Sequence, residues 1–152
     1  MKRILVPVDG SPASMKAALL AIDVAETYGS EITFFAVVKR PELIGTAVGG
    51  GIGYVGDMRK IVEGLTERQR RMLDEFVDGL NCRDITCTKD IMVGEPYEEI
   101  ISHAKYIDAD LIVMGRRGFS KVQRFFLGSV SQRVVSDSPC PVLVVNEDVE
   151  GE

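Results

Sequence analysis

The sequence predicts an α/β domain built around a parallel sheet with right-handed crossover connections. Short runs of β-forming residues alternate along the chain with longer segments in which apolar residues recur at helical spacing. Two of the runs, Leu111–Met114 and Val142–Val145, are apolar at every position, which is typical of strands buried on both faces. A chain of 152 residues suits one such domain, so we predict a single domain over residues 1–152.

Two strands and the helix between them open the predicted sheet. Arg3–Val8 and Glu31–Val38 are the strands, and Ser11–Tyr28 is the helix, with Ser11 as its N-cap and Gly29 at its end. The apolar residues expected on the inner face of this helix are Met15, Ala18, Leu19, Ile22 and Ala25.

The rest of the chain continues the alternation. A long helix is predicted over Asp57–Leu80, and its expected inner face consists of Ile61, Leu65, Met72 and Phe76. A strand, a helix, a strand, a helix and a strand then follow over Asp84–Val93, Pro96–Ile107, Asp110–Met114, Ser129–Ser136 and Pro141–Val145.

A glycine-rich segment interrupts this alternation. Residues 45–56 hold six glycines and no charged side chain. They include a G-x-G-x-x-G pattern over 51–56, but the dinucleotide fingerprint should directly follow the first strand, and this one follows the second. We expect 45–57 to form a flexible Gly-rich loop, as a mobile lid or a plain connection, and 147–152 to form a frayed acidic tail.

Composition argues against several classes of protein. With 18 basic and 23 acidic side chains, the net charge of −5 disfavours a general nucleic-acid partner. Apolar runs are far shorter than the ~18 residues that a membrane span requires. The first residues do not resemble a signal peptide, so the expected location is cytoplasmic.

Neither the cysteines nor the histidine suggests a metal or catalytic site. Cys82, Cys87 and Cys140 are odd in number and have no repeated short spacing, which favours structural or incidental thiols over disulfides or zinc ligands. His103 stands alone in a predicted helix, so neither metal nor triad chemistry is expected of it.

The carboxyl ends of the strands are where a parallel sheet places its functional groups. The first strand ends at Asp9, and the fourth is followed by Gly115 and Gly118, which permit tight turns and close approach to a ligand. Gly128 and Ser129 then open the last helix, whose free N–H groups and dipole suit an anion.

The charge of this region agrees with an anion site. Residues 111–136 hold no acidic side chain but five basic ones: Arg116, Arg117, Lys121, Arg124 and Arg133. The hydroxyls of Ser129 and Ser131 would add hydrogen-bond donors. The pattern favours a polyphosphate site, although the glycines could instead only turn the chain and the arginines form a solvated face. It is not a Walker A loop, because no Gly-Lys-Ser/Thr is present.

These residues resemble the G-x2-G-x9-G-[ST] signature of ATP-binding universal stress proteins. Gly115, Gly118, Gly128 and Ser129 occupy its four positions. The opening residues ILVPVDGS and the closing SDSPCPVLVV are also typical of that family. The resemblance covers essentially the whole chain except Gly45–Asp57.

The resemblance implies both a fold and a ligand site. The fold would be an open five-stranded parallel sheet of order 3-2-1-4-5 flanked by helices, the Rossmann-like adenine-nucleotide alpha-hydrolase-like fold, with Asp9 beside Gly115. Pro7, Val8 and Asp9 would contact the adenosine, and the backbone of Val37 or Val38 would bind the adenine edge. The residues implied at the ribose and phosphates are Met114, Gly115, Gly118, Gly128, Ser129, Val130 and Ser131. For Asp9 the alternative is a helix-capping role near Ser11.

The expected function is that of an ATP-binding regulatory or stress-response module with little or slow hydrolysis. Mg2+ or Mn2+ would be held through the phosphates of ATP. The alternatives are a slow ATP hydrolase or phosphotransferase, and a structural dimer module with an empty site. We further expect a homodimer through strand 141–145, with no specific nucleic-acid or membrane partner.

Overall fold

The computed structural model describes residues 1–41, 52–116 and 127–146, and for residues 52–56 it describes only the backbone. Each predicted element is present within these ranges. The strands are β1 (Arg3–Pro7), β2 (Glu31–Val38), β3 (Cys87–Val93), β4 (Leu111–Gly115) and β5 (Val142–Val145). The helices are α1 (Pro12–Tyr28), α2 (Ile52–Asp78), α3 (Pro96–Tyr106) and α4 (Ser129–Asp137).

The five strands form one parallel sheet of order β3-β2-β1-β4-β5, as predicted. In the centre, β1 pairs with β2 in the register Arg3↔Glu31 and with β4 in the register Ile4↔Leu111. Because right-handed crossovers run in opposite directions from β1 and from β3, α1 and α2 cover one face while α3 and α4 cover the other. The order reverses between β1 and β4, which makes that gap the switch point of the sheet.

Each face of the sheet carries its own apolar core. Under α1 and α2 the main residues are Ile4, Val6, Phe34, Leu73 and Phe76, and the rings of Phe34 and Phe76 meet edge to face at 6.3 Å. Under α3 and α4 they are Leu5, Phe35, Ile100, Ile112, Met114 and Val134.

Small residues bring α1 close to the sheet. Ser11 caps the helix by accepting a hydrogen bond from the Ser14 N–H, and Gly29 ends it in the left-handed region at φ 67°. Its buried residues are chiefly alanines, whereas Leu19 is 50% exposed, so the inward position predicted for Leu19 is wrong. Leu19 lies about 100° around the helix from Ala18, which faces the sheet in its place.

Helix α2 is longer than predicted. It begins at Ile52, so residues 52–57 are helical and not part of a loop, while residues 45–51 of that segment lie outside the described residues. Extending a helix adds one backbone hydrogen bond per residue, which offsets the roughly 1 kcal/mol cost of a glycine within it. The expected inner position of Ile61 is also wrong, since it is 50% exposed, whereas Leu73 and Phe76 are buried.

Strand β5 lies at one edge of the sheet. We expected β4 and β5 both to be buried on two faces, and only β4 is. Every residue of β5 is at least partly exposed, and Leu143 is 37% exposed, because β4 is the single neighbour of this strand among the described strands. The predicted tail, 147–152, lies outside the described residues.

The three thiols form no disulfide, and the histidine packs inside the fold. All three cysteines are free, and burial with a hydrogen bond to Cys82 raises the pKa of Cys87 to about 12. His103 is buried, stacks on Phe35 at 4.3 Å and places Nε2 2.9 Å from Asp90 Oδ2. Within the described ranges there is no metal-ligand cluster and no helix suited to crossing a membrane.

Candidate functional site

A cleft of about 250 Å³ opens at the carboxyl ends of β2, β1 and β4. The residues predicted for the site line it, except for two. Val38 is buried beside it, and Gly118 lies outside the described residues. The predicted residues that line the cleft are Pro7, Val8, Asp9, Val37, Met114, Gly115, Gly128, Ser129, Val130 and Ser131.

One part of the cleft has an apolar wall. Phe35 and Val37 from β2, Pro96 and Ile100 from α3, and Met114 from β4 form it. His103 supports this wall from behind by stacking flat on the ring of Phe35. A flat apolar ligand group fits such a surface, and the few polar groups around it would fix its orientation.

The two candidate backbone positions on β2 differ in their hydrogen bonding. The Val38 carbonyl accepts a hydrogen bond from the Gly94 N–H at 3.0 Å, so it is already occupied. On the other side of β2, the Val8 N–H donates to the Phe35 carbonyl at 2.8 Å, and β1 ends there. The next carbonyl on that side belongs to Val37, for which the described chain supplies no backbone donor. Val37 therefore offers the acceptor that faces the cleft.

Asp9 follows β1 and forms the start of α1. Its Oδ1 accepts a hydrogen bond from the Ser11 N–H at 2.9 Å across Gly10, whose φ is 80°. The capping role that we considered for Asp9 is therefore present. Because Asp9 also lines the cleft and is exposed, its second carboxylate oxygen remains available to a ligand.

The N-terminus of α4 closes the other end of the cleft. The first backbone bond of the helix runs from the Gln132 N–H to the Gly128 carbonyl at 2.9 Å, which leaves the N–H groups of Ser129, Val130 and Ser131 without helical partners. These groups and the helix dipole form a site of positive potential. An anion is the ligand that they suit.

The two serines of α4 differ in what they can offer a ligand. The buried Ser131 hydroxyl donates to the Gly115 carbonyl at 3.0 Å, so it joins α4 to β4 and does not supply the extra donor that we expected. Ser129 is exposed, and its hydroxyl is available.

Gly115 has a packing reason to be glycine. A Cβ built at this position would lie 2.7 Å from Ala13 Cβ and 2.9 Å from the Ala13 carbonyl carbon. The close approach is therefore to α1, whereas the sequence suggested an approach to a ligand.

The described basic residues of this region are not equivalent. Arg116 follows β4 directly, and its carbonyl accepts a hydrogen bond from the Gly128 N–H at 2.9 Å. The guanidinium of Arg133 lies 3.6 Å from the centre of the Tyr97 ring and so packs against α3. The other predicted basic residues, Arg117, Lys121 and Arg124, lie outside the described residues.

Sequence reasoning missed Gln69, which lines the cleft from α2. The spacing of apolar residues in α2 contained a signal for it. Gln69 lies one turn before Leu73 on the face that packs against the sheet, where a polar side chain is out of place unless the sheet has ended.

An open parallel α/β sheet with a cleft at its switch point defines a class of ligand-binding fold, and comparison with known proteins gives the family. The model of the universal stress protein family matches residues 1–146. This chain belongs to the universal stress protein family.

Individual proteins agree with this assignment. The chain is 32% identical over 148 residues to universal stress protein MJ0531 of Methanocaldococcus jannaschii, covering 96% of this chain and 82% of that protein. The solved structure of MJ0577, from the same organism, matches with a TM-score of 0.82 and 27% identity, covering 97% of this chain and 96% of that one. An Arabidopsis thaliana family protein with AMP bound has the same fold, with a TM-score of 0.65 at 19% identity over 99% of this chain and 94% of that one.

Proposed function

We propose that this protein binds adenine nucleotides in the cleft, with ATP as the preferred ligand. The observation that carries the proposal is the order of groups across three strand ends: an apolar wall and the Val37 carbonyl at β2, Asp9 at β1, and the open N-terminus of α4 beyond β4. Adjacent strands lie about 4.8 Å apart, so these groups succeed one another over roughly the length of a nucleotide. The base would lie at β2, the ribose at Asp9 and the phosphates at α4.

A preference for ATP over adenosine follows from the end of the cleft at α4. The N–H groups of Ser129, Val130 and Ser131 and the Ser129 hydroxyl are donors that the phosphate groups of ATP would satisfy and that adenosine would leave to water. A divalent cation would be held mainly through the phosphates. That a protein of this fold contains bound AMP supports an adenine nucleotide as the ligand class.

We propose binding with little turnover, as in a regulatory module. Rapid phosphoryl transfer needs acidic groups that hold the metal and orient the attacking oxygen near the terminal phosphate. Among the described residues that line the cleft, Asp9 is the single carboxylate, and it lies at the proposed ribose end. A slow hydrolase is the second candidate function, and it would require the free carboxylate oxygen of Asp9 to lie near the terminal phosphate and not at the ribose.

Calorimetry with ATP, ADP, AMP and adenosine tests the proposal. We expect a Kd for ATP in the micromolar range, about −8 kcal/mol, and progressively weaker binding as phosphates are removed. Equal affinity for AMP and ATP would contradict the role of α4, and no binding of any of the four would overturn the function. Mass spectrometry of nucleotide released by acid from the purified protein separates the two candidates, because ADP alone would favour the hydrolase.

We also propose a homodimer that pairs β5 with β5 of a second copy. The two edges of the sheet differ: β3 carries Lys89 and Asp90, whereas β5 carries no charge. Charged residues protect an edge strand from pairing, and an uncharged apolar edge invites it.

A further inference from the structure

We propose that Gln69 determines the base specificity of the cleft, by hydrogen bonding its side-chain amide to the N6 and N7 edge of adenine. The inference rests on the proposed function and assigns a residue outside the glycine signature to recognition of the base.

The first step is where α2 places Gln69. The crossover from β2 to β3 makes α2 run antiparallel to the strands, and Leu73 and Phe76 hold it on the sheet. Gln69 precedes Leu73 by four residues, so it lies on the same face and one turn nearer the carboxyl ends of the strands. The strands end at the level of Gln69. The face of α2 that packs on the sheet at Leu73 and Phe76 therefore lines the cleft at Gln69.

The second step is an account of the polar side chains in the cleft. Ser14 donates its hydroxyl to the Ser11 carbonyl, and the Ser11 hydroxyl accepts from the Ser14 N–H. Ser131 donates to Gly115, and one oxygen of Asp9 accepts from Ser11. The amide of Gln69 has no hydrogen-bond partner among the described residues. It is thus a donor and acceptor pair left for a ligand.

The third step is which part of a nucleotide Gln69 meets. Helix α2 packs over β2 and β3, whereas α4, the proposed phosphate site, packs beside β5 and α3. Gln69 therefore belongs to the β2 end of the cleft and enters it from the α2 face of the sheet, whereas the apolar wall lies on the α3 face. Because the phosphate donors are at the opposite end, the base is the part of the nucleotide within reach of the amide.

The chemistry of the amide then selects adenine. Adenine presents an N6–H donor beside the N7 acceptor, and a glutamine amide matches both at once. Guanine presents the O6 acceptor beside N7, so the amide oxygen of Gln69 would oppose O6 and one of the two bonds would be lost. The Val37 carbonyl would likewise accept from N6–H and repel O6. Gln69 on α2 and Val37 on β2 would thus both disfavour guanine.

Calorimetry with ATP and GTP on the full chain tests this role. Gln69→Met keeps the length of the side chain and removes its amide. We expect it to weaken ATP binding about tenfold. GTP binding should be nearly unchanged, because the variant loses one bond to guanine but also the repulsion between the amide oxygen and O6, so the ATP-to-GTP preference falls about tenfold. Gln132→Met, at an exposed position of α4, is the matched control and should change neither affinity.

A modified ligand tests the same contact without altering the protein. In 7-deaza-ATP a C–H replaces the N7 acceptor, so wild-type protein should bind it several-fold more weakly than ATP, and Gln69→Met should bind the two equally. Equal binding of ATP and 7-deaza-ATP by wild type, or an unchanged ATP-to-GTP preference in Gln69→Met, would overturn the inference while ATP binding stands. A wild-type protein that binds no nucleotide would overturn the proposed function itself.

Discussion

At the scale of single residues, Gly115 connects the packing of the fold to the cleft. It ends β4, lines the cleft and accepts the Ser131 hydroxyl, while α1 passes so close that a Cβ would meet Ala13. Any side chain there must move either the helix or the strand end.

We predict that Gly115→Ala destabilises the protein by about 1–3 kcal/mol, the usual cost of overpacking. Urea unfolding monitored by circular dichroism measures it. Gly64→Ala is the control of opposite sign, because Gly64 lies inside α2 with open space around its missing Cβ and φ outside the left-handed region. That change should stabilise by about 0.5–1 kcal/mol. Equal stability of Gly115→Ala and wild type would contradict the described contact.

Asp110 fastens the start of β1 to the start of β4. Its Oδ2 accepts hydrogen bonds from the N–H groups of Lys2 at 2.6 Å and Arg3 at 3.0 Å, and these bonds lower the pKa of Asp110 below its ordinary 3.8. A carboxyl whose pKa is lower in the folded state stabilises the fold above pH 3.8, and this contribution is lost as pH falls through the folded pKa.

We therefore predict that Asp110→Asn lowers the thermal midpoint at pH 7 and that the difference from wild type shrinks as pH falls below 3.8. Scanning calorimetry from pH 7 to pH 2.5 gives the comparison. Asp23→Asn, at an exposed position of α1, is the control. A difference that stays constant down to pH 2.5 would show that the charge of Asp110 is not involved.

The wrong positions predicted for Leu19 and Ile61 have one physical cause. Leu19 and Ile61 were expected inside because they are large and apolar, yet α1 approaches the sheet through alanines, and Ile61 lies toward the start of α2, three turns before Leu73. Helical spacing defines a face, but not how far along that face the sheet extends. For the same reason, the position of Gln69 on the inner face of α2 did not show by itself that this residue lines the cleft.

At the scale of elements, α4 joins the cleft to the fold through its first turn. Gly128 is its N-cap, with φ −58° and ψ 155°, values that residues other than glycine also adopt. A left-handed backbone is therefore not the reason for glycine at this position. Glycine leaves no side chain beside the free N–H groups of this helix end.

We predict that Gly128→Val abolishes ATP binding and leaves the far-UV circular dichroism spectrum unchanged. The valine side chain would cover the N–H groups that the phosphates need, while the backbone angles tolerate it. Calorimetry measures the affinity, and Gly79→Val, at an exposed position that a Cβ would enter with ordinary contacts, is the control. Retained affinity in folded Gly128→Val protein would rule out this helix end as the phosphate site.

Element order was predictable because each element carries its own period and its own end signals. Ser11, Gly29 and Pro96 marked helix ends that the structure confirms. Helix α2 has no such signal at its start, and the glycines of its first turns are atypical of a helix. The sequence therefore predicted a start at Asp57, whereas the helix begins at Ile52. The unequal exposure of β4 and β5 depends on which strand is last in the sheet, which hydropathy does not report.

At the scale of the whole molecule, the two edges of the sheet predict how copies associate. We predict that Val144→Lys converts a dimer of about twice 16.7 kDa into a monomer, because a charged side chain on an edge strand opposes its pairing with a second strand. Light scattering measures the mass. Met92→Lys is the matched control, since Met92 is 45% exposed on β3 at the opposite edge. A dimer that survives Val144→Lys would place the interface on another surface, and a monomeric wild type would refute the assembly.

The different lengths of β1 and β2 have a consequence for how this protein can diverge. Because β1 stops at Pro7 while β2 continues to Val38, the carbonyl of residue 37 is exposed to the cleft whatever side chain residue 37 carries. Substitutions at that position can accumulate without removing the acceptor, whereas an extension of β1 by two residues would pair with it and remove it. The acceptor is therefore specified by the relative lengths of two strands and by no particular amino acid at residue 37.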